Sequence, residues 1–141
     1  MIKRVVVDTS VVVAALIGEK GPAREILRRC LKGEFQPLMS NALFLECEDV
    51  AGRKDVKRIC PLNEAEIRAL LNAYYSVCEW VPIYYLWRPN LKDEGDNHII
   101  ELSISGRAEC VITQNIKDFS KTQLQFDDLE IMTPAKMLRG K

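Results

Sequence analysis

Residues 2–10 read IKRVVVDTS, and this stretch decides the fold. From Ile2 to Val7 it is rich in β-branched residues and lacks the polar alternation of a half-exposed strand. Such a run predicts a strand that is covered on both faces, as in a parallel sheet. The run from Glu109 to Thr113 predicts a second buried strand of the same kind. The first run ends in Asp8, where burial of a carboxylate is costly unless it is paired or bound to a metal.

Helical and strand patterns alternate along the rest of the chain. Further strands are predicted over residues 36–39, 80–85 and 129–132, and helices over residues 11–17, 22–32, 41–50, 64–78, 97–105 and 134–138. The predicted N-caps are Thr9 or Ser10, Ser40 or Asn41, and Asn63 with Glu66 in a capping box. Residues 52–61 are interpreted as a polar connection. Because strands that alternate with helices form parallel sheets, the pattern predicts a single α/β domain over residues 1–141.

The charge of the chain is balanced, with 20 Lys and Arg against 20 Asp and Glu in 141 residues. This argues against a protein that coats nucleic acid through its bulk charge, although a local basic patch can still bind RNA. The candidate patch is Arg53, Lys54, Lys57 and Arg58, with a solvated helix face as the alternative. A second basic segment, Arg24 to Lys32, is interpreted as a solvated helix face. No signal-peptide pattern or long apolar run is present, which predicts a cytoplasmic protein without a membrane segment.

Cysteine and histidine usage argues against several kinds of site. The five cysteines are scattered without a Cys-x-x-Cys pair, and His98 is the single histidine. Zinc ligation and a disulfide framework are therefore disfavoured, and the cysteines are interpreted as small buried hydrophobes. Catalysis by a Cys–His or Ser–His pair would need His98 as its base. We interpret His98 as a bystander in a polar loop.

Acidic or amide side chains lie at the ends or faces of apolar elements at four points of the chain. These points are Asp8, Glu46, Asp93 with Asp96, and Asn115 with Asp118. Each has an ordinary structural explanation as a helix cap, a charge at a helix N-terminus, a turn residue or an edge residue. In open α/β sheets, however, ligand sites lie beyond the carboxyl ends of the strands, where Asp8, Asn115 and Asp118 fall. Glu46 interrupts the apolar stripe of its helix. A glutamate in such a place either extends its carboxylate to solvent at the edge of the stripe or binds a ligand.

The chemistry that needs several such oxygens is hydrolysis of phosphodiesters with Mg²⁺ or Mn²⁺. Both are hard cations that prefer carboxylate, carbonyl and water ligands. A bound cation lowers the pKa of water and neutralises charge on the scissile phosphate. The sequence therefore predicts a divalent-cation site, with one or two ions left open.

The chain resembles the PIN-domain family, in particular the VapC-like toxin components of prokaryotic toxin–antitoxin pairs. The matching motifs are Val5 to Ser10, Ser40 to Val50 with its helical Glu46, Arg88 to Asn97 followed by Glu101 to Ser103, and Ala108 to Phe119. Four motifs in this order cover nearly the whole chain. The resemblance implies a Rossmann-like PIN fold with a central parallel sheet of about four to five strands flanked by helices.

The resemblance also assigns roles to residues. It implies Asp8, Glu46 and Asp96 as the catalytic acid core, with Asp93, Asn115 and Asp118 as further metal ligands. Thr9 or Ser10, together with Thr113, would orient the carboxylates through hydrogen bonds. The implied activity is an Mg²⁺- or Mn²⁺-dependent endoribonuclease that acts on RNA, is held inactive by a cognate antitoxin protein, and forms a homodimer.

Two departures from the family pattern keep an alternative open. Asn115 stands where many relatives have a fourth Asp, and Glu94 follows Asp93 where many have Pro. Fewer negative charges weaken cation binding, so a non-catalytic PIN-fold interaction module is the alternative function. A receiver-like phosphoacceptor is disfavoured because such proteins need an acidic pair near the first strand, and here that strand ends in one Asp.

Overall fold

A five-stranded parallel sheet forms the centre of the computed structural model, which describes residues 2–83, 97–119 and 128–139. Its strands are β1 (Lys3–Val7), β2 (Phe35–Met39), β3 (Glu79–Trp80), β4 (Cys110–Ile112) and β5 (Glu130–Met132). The helices are α1 (Thr9–Ile17), α2 (Pro22–Leu31), α3 (Asn41–Ala51), α4 (Lys54–Ile59), α5 (Glu64–Val77), α6 (Asn97–Ser105) and α7 (Pro134–Arg139), with a 3-10 turn over Ile116–Phe119. The predicted α/β architecture is confirmed.

The two strands with the most continuous apolar sequence lie side by side at the centre of the sheet. β1 pairs with β4 so that Val7 stands opposite Ile112. All residues of Val5–Val7 and Cys110–Ile112 are fully buried. Both faces of these strands are covered, which is why their sequences show no alternation.

The order of the strands indicates where in the sheet a ligand site is expected. That order is β3-β2-β1-β4-β5. From β1 the chain builds outward through β2 to β3, and it then returns to the other side of β1 to form β4 and β5. The order of the strands therefore reverses between β1 and β4, and ligands of such sheets bind beyond the carboxyl ends of the strands at this point. Asp8 and Thr113 directly follow these two strands.

Two predicted helix caps are confirmed. Ser40 Oγ accepts a hydrogen bond from the amide of Leu43 and begins α3. Asn63 and Glu66 form a reciprocal capping box at the start of α5. Each satisfies amides that the first helical turn leaves without a partner.

Three local predictions were wrong. Thr9 and Ser10 do not cap α1, which begins at Thr9 with Asp8 in the cap position and no side-chain cap bond. Residues 54–59 form α4 rather than a polar connection, because Val56 is buried while acid and base lie at the favourable ends of the helix. The strand expected over residues 80–85 is limited, in the described part, to Glu79–Trp80, and residues 84 and 85 lie outside that part.

The described cysteines match their interpretation as hydrophobes. Cys30, Cys47, Cys78 and Cys110 are buried, Cys60 is partly buried, and all five are free thiols. Burial raises the pKa of the Cys47 thiol to about 12, so it stays protonated at neutral pH. None of the helices in the described residues is both long enough and apolar enough to cross a lipid bilayer.

The interpretation of residues 24–32 as a solvated face was wrong for Arg24, which is buried. Its Nε donates to the carbonyl of Ala15 at 2.6 Å and its Nη2 to that of Leu16 at 3.4 Å. These carbonyls end α1 and have no partner within the helix. Arg24 therefore holds α2 against the C-terminus of α1.

We expect Arg24→Met to lower the free energy of unfolding by about 1–2 kcal/mol, because buried carbonyls lose a charged donor. Arg28→Met is the matched control, since Arg28 lies on the same helix with 43% of its side chain exposed. The control should stay within about 0.5 kcal/mol of wild type. Urea unfolding of both variants tests this, and equal losses would contradict a special role for Arg24.

Candidate metal-binding site

Asp8 lies in a closed hydrogen-bond network at the carboxyl ends of β1 and β4. Its amide donates to the carbonyl of Ile112 at 2.9 Å, which fixes the backbone where the strand becomes a helix. Its Oδ2 accepts from Ser10 Oγ at 2.9 Å and from Thr113 Oγ1 at 2.7 Å. Asp8 is 7% exposed and Thr113 is fully buried. Two hydroxyl donors therefore stabilise one oxygen of a buried carboxylate.

Backbone amides orient those two hydroxyl groups. The amide of Gln114 donates to Ser10 Oγ at 3.1 Å, and that of Asn115 donates to Thr113 Oγ1 at 3.0 Å. Each hydroxyl oxygen thus accepts from the loop after β4 and uses its own proton on Asp8. The loop after β4 therefore sets the orientation of the carboxylate that ends β1.

Glu46 reaches the same region from α3. Thr9 Oγ1 donates to Glu46 Oε1 at 2.6 Å, and His98 Nε2 lies 3.2 Å from the same oxygen. Because Thr9 directly follows Asp8, the first turn of α1 connects both acids. The side chain of Glu46 is 41% exposed, as expected for a carboxylate at the rim of a site.

The surroundings of Glu46 favour its ionised form. The pKa of the Glu46 carboxyl lies below its ordinary value of 4.5, first because of the hydrogen bond from His98 and then because of that from Thr9. Partial burial opposes the shift, and the charge of Arg53 adds to it. A carboxylate that is ionised at neutral pH is a competent ligand for a hard cation.

In the described part of the chain, each carboxylate accepts hydrogen bonds through one oxygen. Asp8 uses Oδ2 and Glu46 uses Oε1, so Oδ1 and Oε2 accept none from described residues. The donor set therefore fits a divalent cation, which takes single carboxylate oxygens among its ligands. Over residues 2–83, 97–119 and 128–139, no three His, Cys, Asp or Glu side chains form a group that could hold a metal ion.

The other predicted metal ligands lie partly within and partly outside the residues that the structure describes. Asp93 and Asp96 lie outside the described residues. Asp118 belongs to the 3-10 turn after β4, but its side chain lies outside the described part. Asn115 is exposed, and its amide contacts Thr113. Asp8 and Glu46 are thus the predicted acids that the described residues bring together.

The candidate RNA-binding residues are exposed beside α3 and on α4. Arg53 pairs with Asp49 at 2.8 Å, and Lys57 pairs with Glu64 at 2.9 Å. Arg53 is close enough for its charge to act on Glu46. Surface ion pairs of this kind are weak, so a phosphate group can compete for both cations.

Sequence reasoning missed His98 as a residue of this site. His98 is not in a polar loop but in the first turn of α6, where it contacts Glu46. No local sequence pattern signals this contact, because it joins two residues that are 52 positions apart on different helices.

Comparisons with known proteins agree with this architecture. A family model described as PIN domain matches residues 4–117. The chain is similar to the crystal structure of VapBC2 from Rickettsia felis bound to a DNA fragment from their promoter, with a TM-score of 0.56. The two are 16% identical, and the alignment covers 91% of this chain and 96% of that one, which is a likeness of fold. A search of curated proteins found no match.

Proposed function

The chain belongs to the PIN-domain family, and we propose that it is an Mg²⁺- or Mn²⁺-dependent endoribonuclease that acts as the toxin of a toxin–antitoxin pair. One observation carries the proposal. Asp8 and Glu46, which are 38 positions apart, are joined through Thr9 at the point where the strand order reverses, each with one oxygen held by donors. A carboxylate pair at this edge is what a cation-assisted hydrolase of phosphodiesters needs.

Asp8 and Glu46 would hold the cation together with Asp96, and Asp93, Asn115 and Asp118 are further candidate ligands. A bound divalent cation supplies charge neutralisation at the scissile phosphate and water of lowered pKa. Ser10 and Thr113 keep the Asp8 carboxylate in one orientation, and Thr9 does the same for Glu46. Such outer contacts fix ligand geometry before the substrate arrives.

The proposal of an RNA substrate rests on the positive charge of a group of exposed side chains. Arg53, Lys54, Lys57 and Arg58 form an exposed basic patch next to the helix that carries Glu46. We assign this patch to the phosphates of an RNA strand that crosses the acid site. Local rather than bulk charge would thus bind the substrate, in keeping with a net charge of zero.

We further propose a cognate antitoxin, a homodimer and a cytoplasmic location. The fold that the chain shares with the structure of VapBC2 and the family resemblance of its motifs support a protein partner that covers the acid site. The exposed carboxylate of Glu46 offers such a partner a site for a basic side chain.

Metal binding and RNA cleavage by the partner-free wild-type protein test the function. We expect Mn²⁺ at about 100 times its Kd to add about 2.7 kcal/mol to the stability of the protein and to raise its Tm by several degrees. A labelled RNA should be cut in Mn²⁺ and spared in EDTA. If millimolar Mn²⁺ produces no shift of Tm and no cleavage of RNA, the proposed enzyme is refuted and the non-catalytic interaction module is favoured.

A further inference from the structure

The contact between His98 and Glu46 is the feature that the proposed function has not used. His98 lies in the first turn of α6, its side chain is 17% exposed, and its Nε2 lies 3.2 Å from Glu46 Oε1. An ionised carboxylate has no proton to give, so Nε2 is the donor in this hydrogen bond. The bond links α6 to α3, two helices that are far apart in the sequence.

The other ring nitrogen of His98 does not contribute to this contact. Nδ1 is buried and has no hydrogen-bond partner within the described residues. Within the described part of the chain, the polar contact of His98 is the one to Glu46.

The two donors to Glu46 act on the same oxygen. Thr9 Oγ1 and His98 Nε2 both contact Oε1, one from α1 and the other from α6. Asp8 has the same arrangement, with Ser10 and Thr113 on Oδ2. Two donors from different helices fix the plane of a carboxylate, whereas a single donor leaves it free to rotate. The second oxygen then has a defined direction.

We propose that His98 is a positioning residue that, together with Thr9, holds Oε1 of Glu46 and presents Oε2 to the divalent cation. The proposal rests on the proposed function, since it names a new residue of the same site. It assigns His98 no proton transfer and no contact with RNA. Its effect is on the affinity for the cation, through the orientation of one ligand.

Three substitutions of His98 separate positioning from packing. In His98→Gln the amide nitrogen takes the place of Nε2 and can still donate to Glu46. In His98→Asn the amide takes the place of Nδ1 and does not reach Oε1, so this variant is the matched polar control. His98→Leu fills similar volume and removes the donor.

The readout is the Kd for Mn²⁺, measured by electron paramagnetic resonance on the intact protein, with thermal melts in EDTA as the control for folding. We expect His98→Leu and His98→Asn to raise the Kd by about tenfold or more, and His98→Gln to stay within about threefold of wild type. Equal Kd values for wild type and His98→Leu would overturn the proposal. So would a folded His98→Gln variant that binds as weakly as His98→Asn.

These measurements distinguish a failure of the role proposed for His98 from a failure of the proposed function. If the wild-type protein binds no Mn²⁺, the function itself fails and the proposal falls with it. If the wild-type protein binds Mn²⁺ and cleaves RNA, and the three His98 variants have the same Kd for Mn²⁺ as the wild type, the function stands and the role of His98 is refuted.

Discussion

Asp8→Asn is expected to lower RNA cleavage in Mn²⁺ by roughly 10²–10³-fold, about 3–4 kcal/mol of transition-state stabilisation. The substitution removes one full negative charge from the point where the strand order reverses. It leaves a neutral amide, and when its oxygen accepts from Ser10 and Thr113 in place of Oδ2, an NH2 group that cannot bind a cation takes the place of Oδ1. The Kd for Mn²⁺ should rise in the same variant, because the lost interaction is with the cation itself.

The fold should survive this change. The backbone contacts of Asp8 do not involve its side chain: its amide donates to Ile112 and its carbonyl accepts from Val11. The amide oxygen of Asn can still accept from Ser10 and Thr113. Removal of a nearly buried charge also relieves a desolvation cost. We therefore expect an unchanged or slightly higher Tm in EDTA.

Asp128→Asn is the matched control, because Asp128 is exposed just before β5. The control should cleave RNA and bind Mn²⁺ as the wild-type protein does. Cleavage assays with each variant, purified in the same way, also exclude a contaminating ribonuclease. Wild-type cleavage by a folded Asp8→Asn variant would contradict the assignment of Asp8, whatever the cation affinity.

The fold was largely predictable because the sequences of its two central strands are continuously apolar and identify them as buried strands. An uninterrupted β-branched run such as Val5–Val7 is stable in few settings other than a parallel sheet that is buried on both faces. β4 repeats that signal at Cys110–Ile112. Ser40 and Asn63 mark helix starts through bonds to amides within three residues. The family match over residues 4–117 and the shared fold confirm the PIN-type architecture that the motifs indicated.

The wrong cap prediction for α1 results from competition between a local and a tertiary partner. Thr9 and Ser10 are good N-caps by residue type, yet their hydroxyl groups donate to Glu46 and Asp8 instead. Because hydrogen bonds to charged acceptors are stronger, these hydroxyl groups are directed at the two carboxylates instead of accepting from amides of the first helical turn. The failed cap prediction therefore points to the site.

The candidate site was predictable in residue type but not in its connections. Asp8 could be chosen because an acid ends a buried strand, and Glu46 because it interrupts an apolar stripe. Nothing near His98 in the sequence indicates that α6 packs against α3 at Glu46. That contact depends on the placement of whole helices across the sheet, and local sequence patterns carry no signal for it.

Gly106→Ala is expected to lower the free energy of unfolding by about 2–3 kcal/mol, because it forces a methyl group into a packed core. A Cβ at Gly106 would lie 2.6 Å from Leu38 Cδ1 and 3.1 Å from both Val81 Cγ2 and the carbonyl oxygen of Leu102. Leu38 is fully buried in β2 and cannot move without displacing its neighbours. The carbonyl of Gly106 also accepts from Nε and Nη2 of Arg4, at 3.0 and 2.7 Å.

Gly18→Ala is the matched control, at the end of α1 instead of α6. Its Cβ would meet the carbonyl oxygen of Ala14 at 3.4 Å, an ordinary contact, and its φ of −107° suits any residue. This substitution should leave stability unchanged or raise it slightly, since alanine restricts the unfolded chain. Urea unfolding of both variants measures the difference. If Gly106→Ala unfolds at the same urea concentration as Gly18→Ala, the close packing of α6 on β2 is not a constraint.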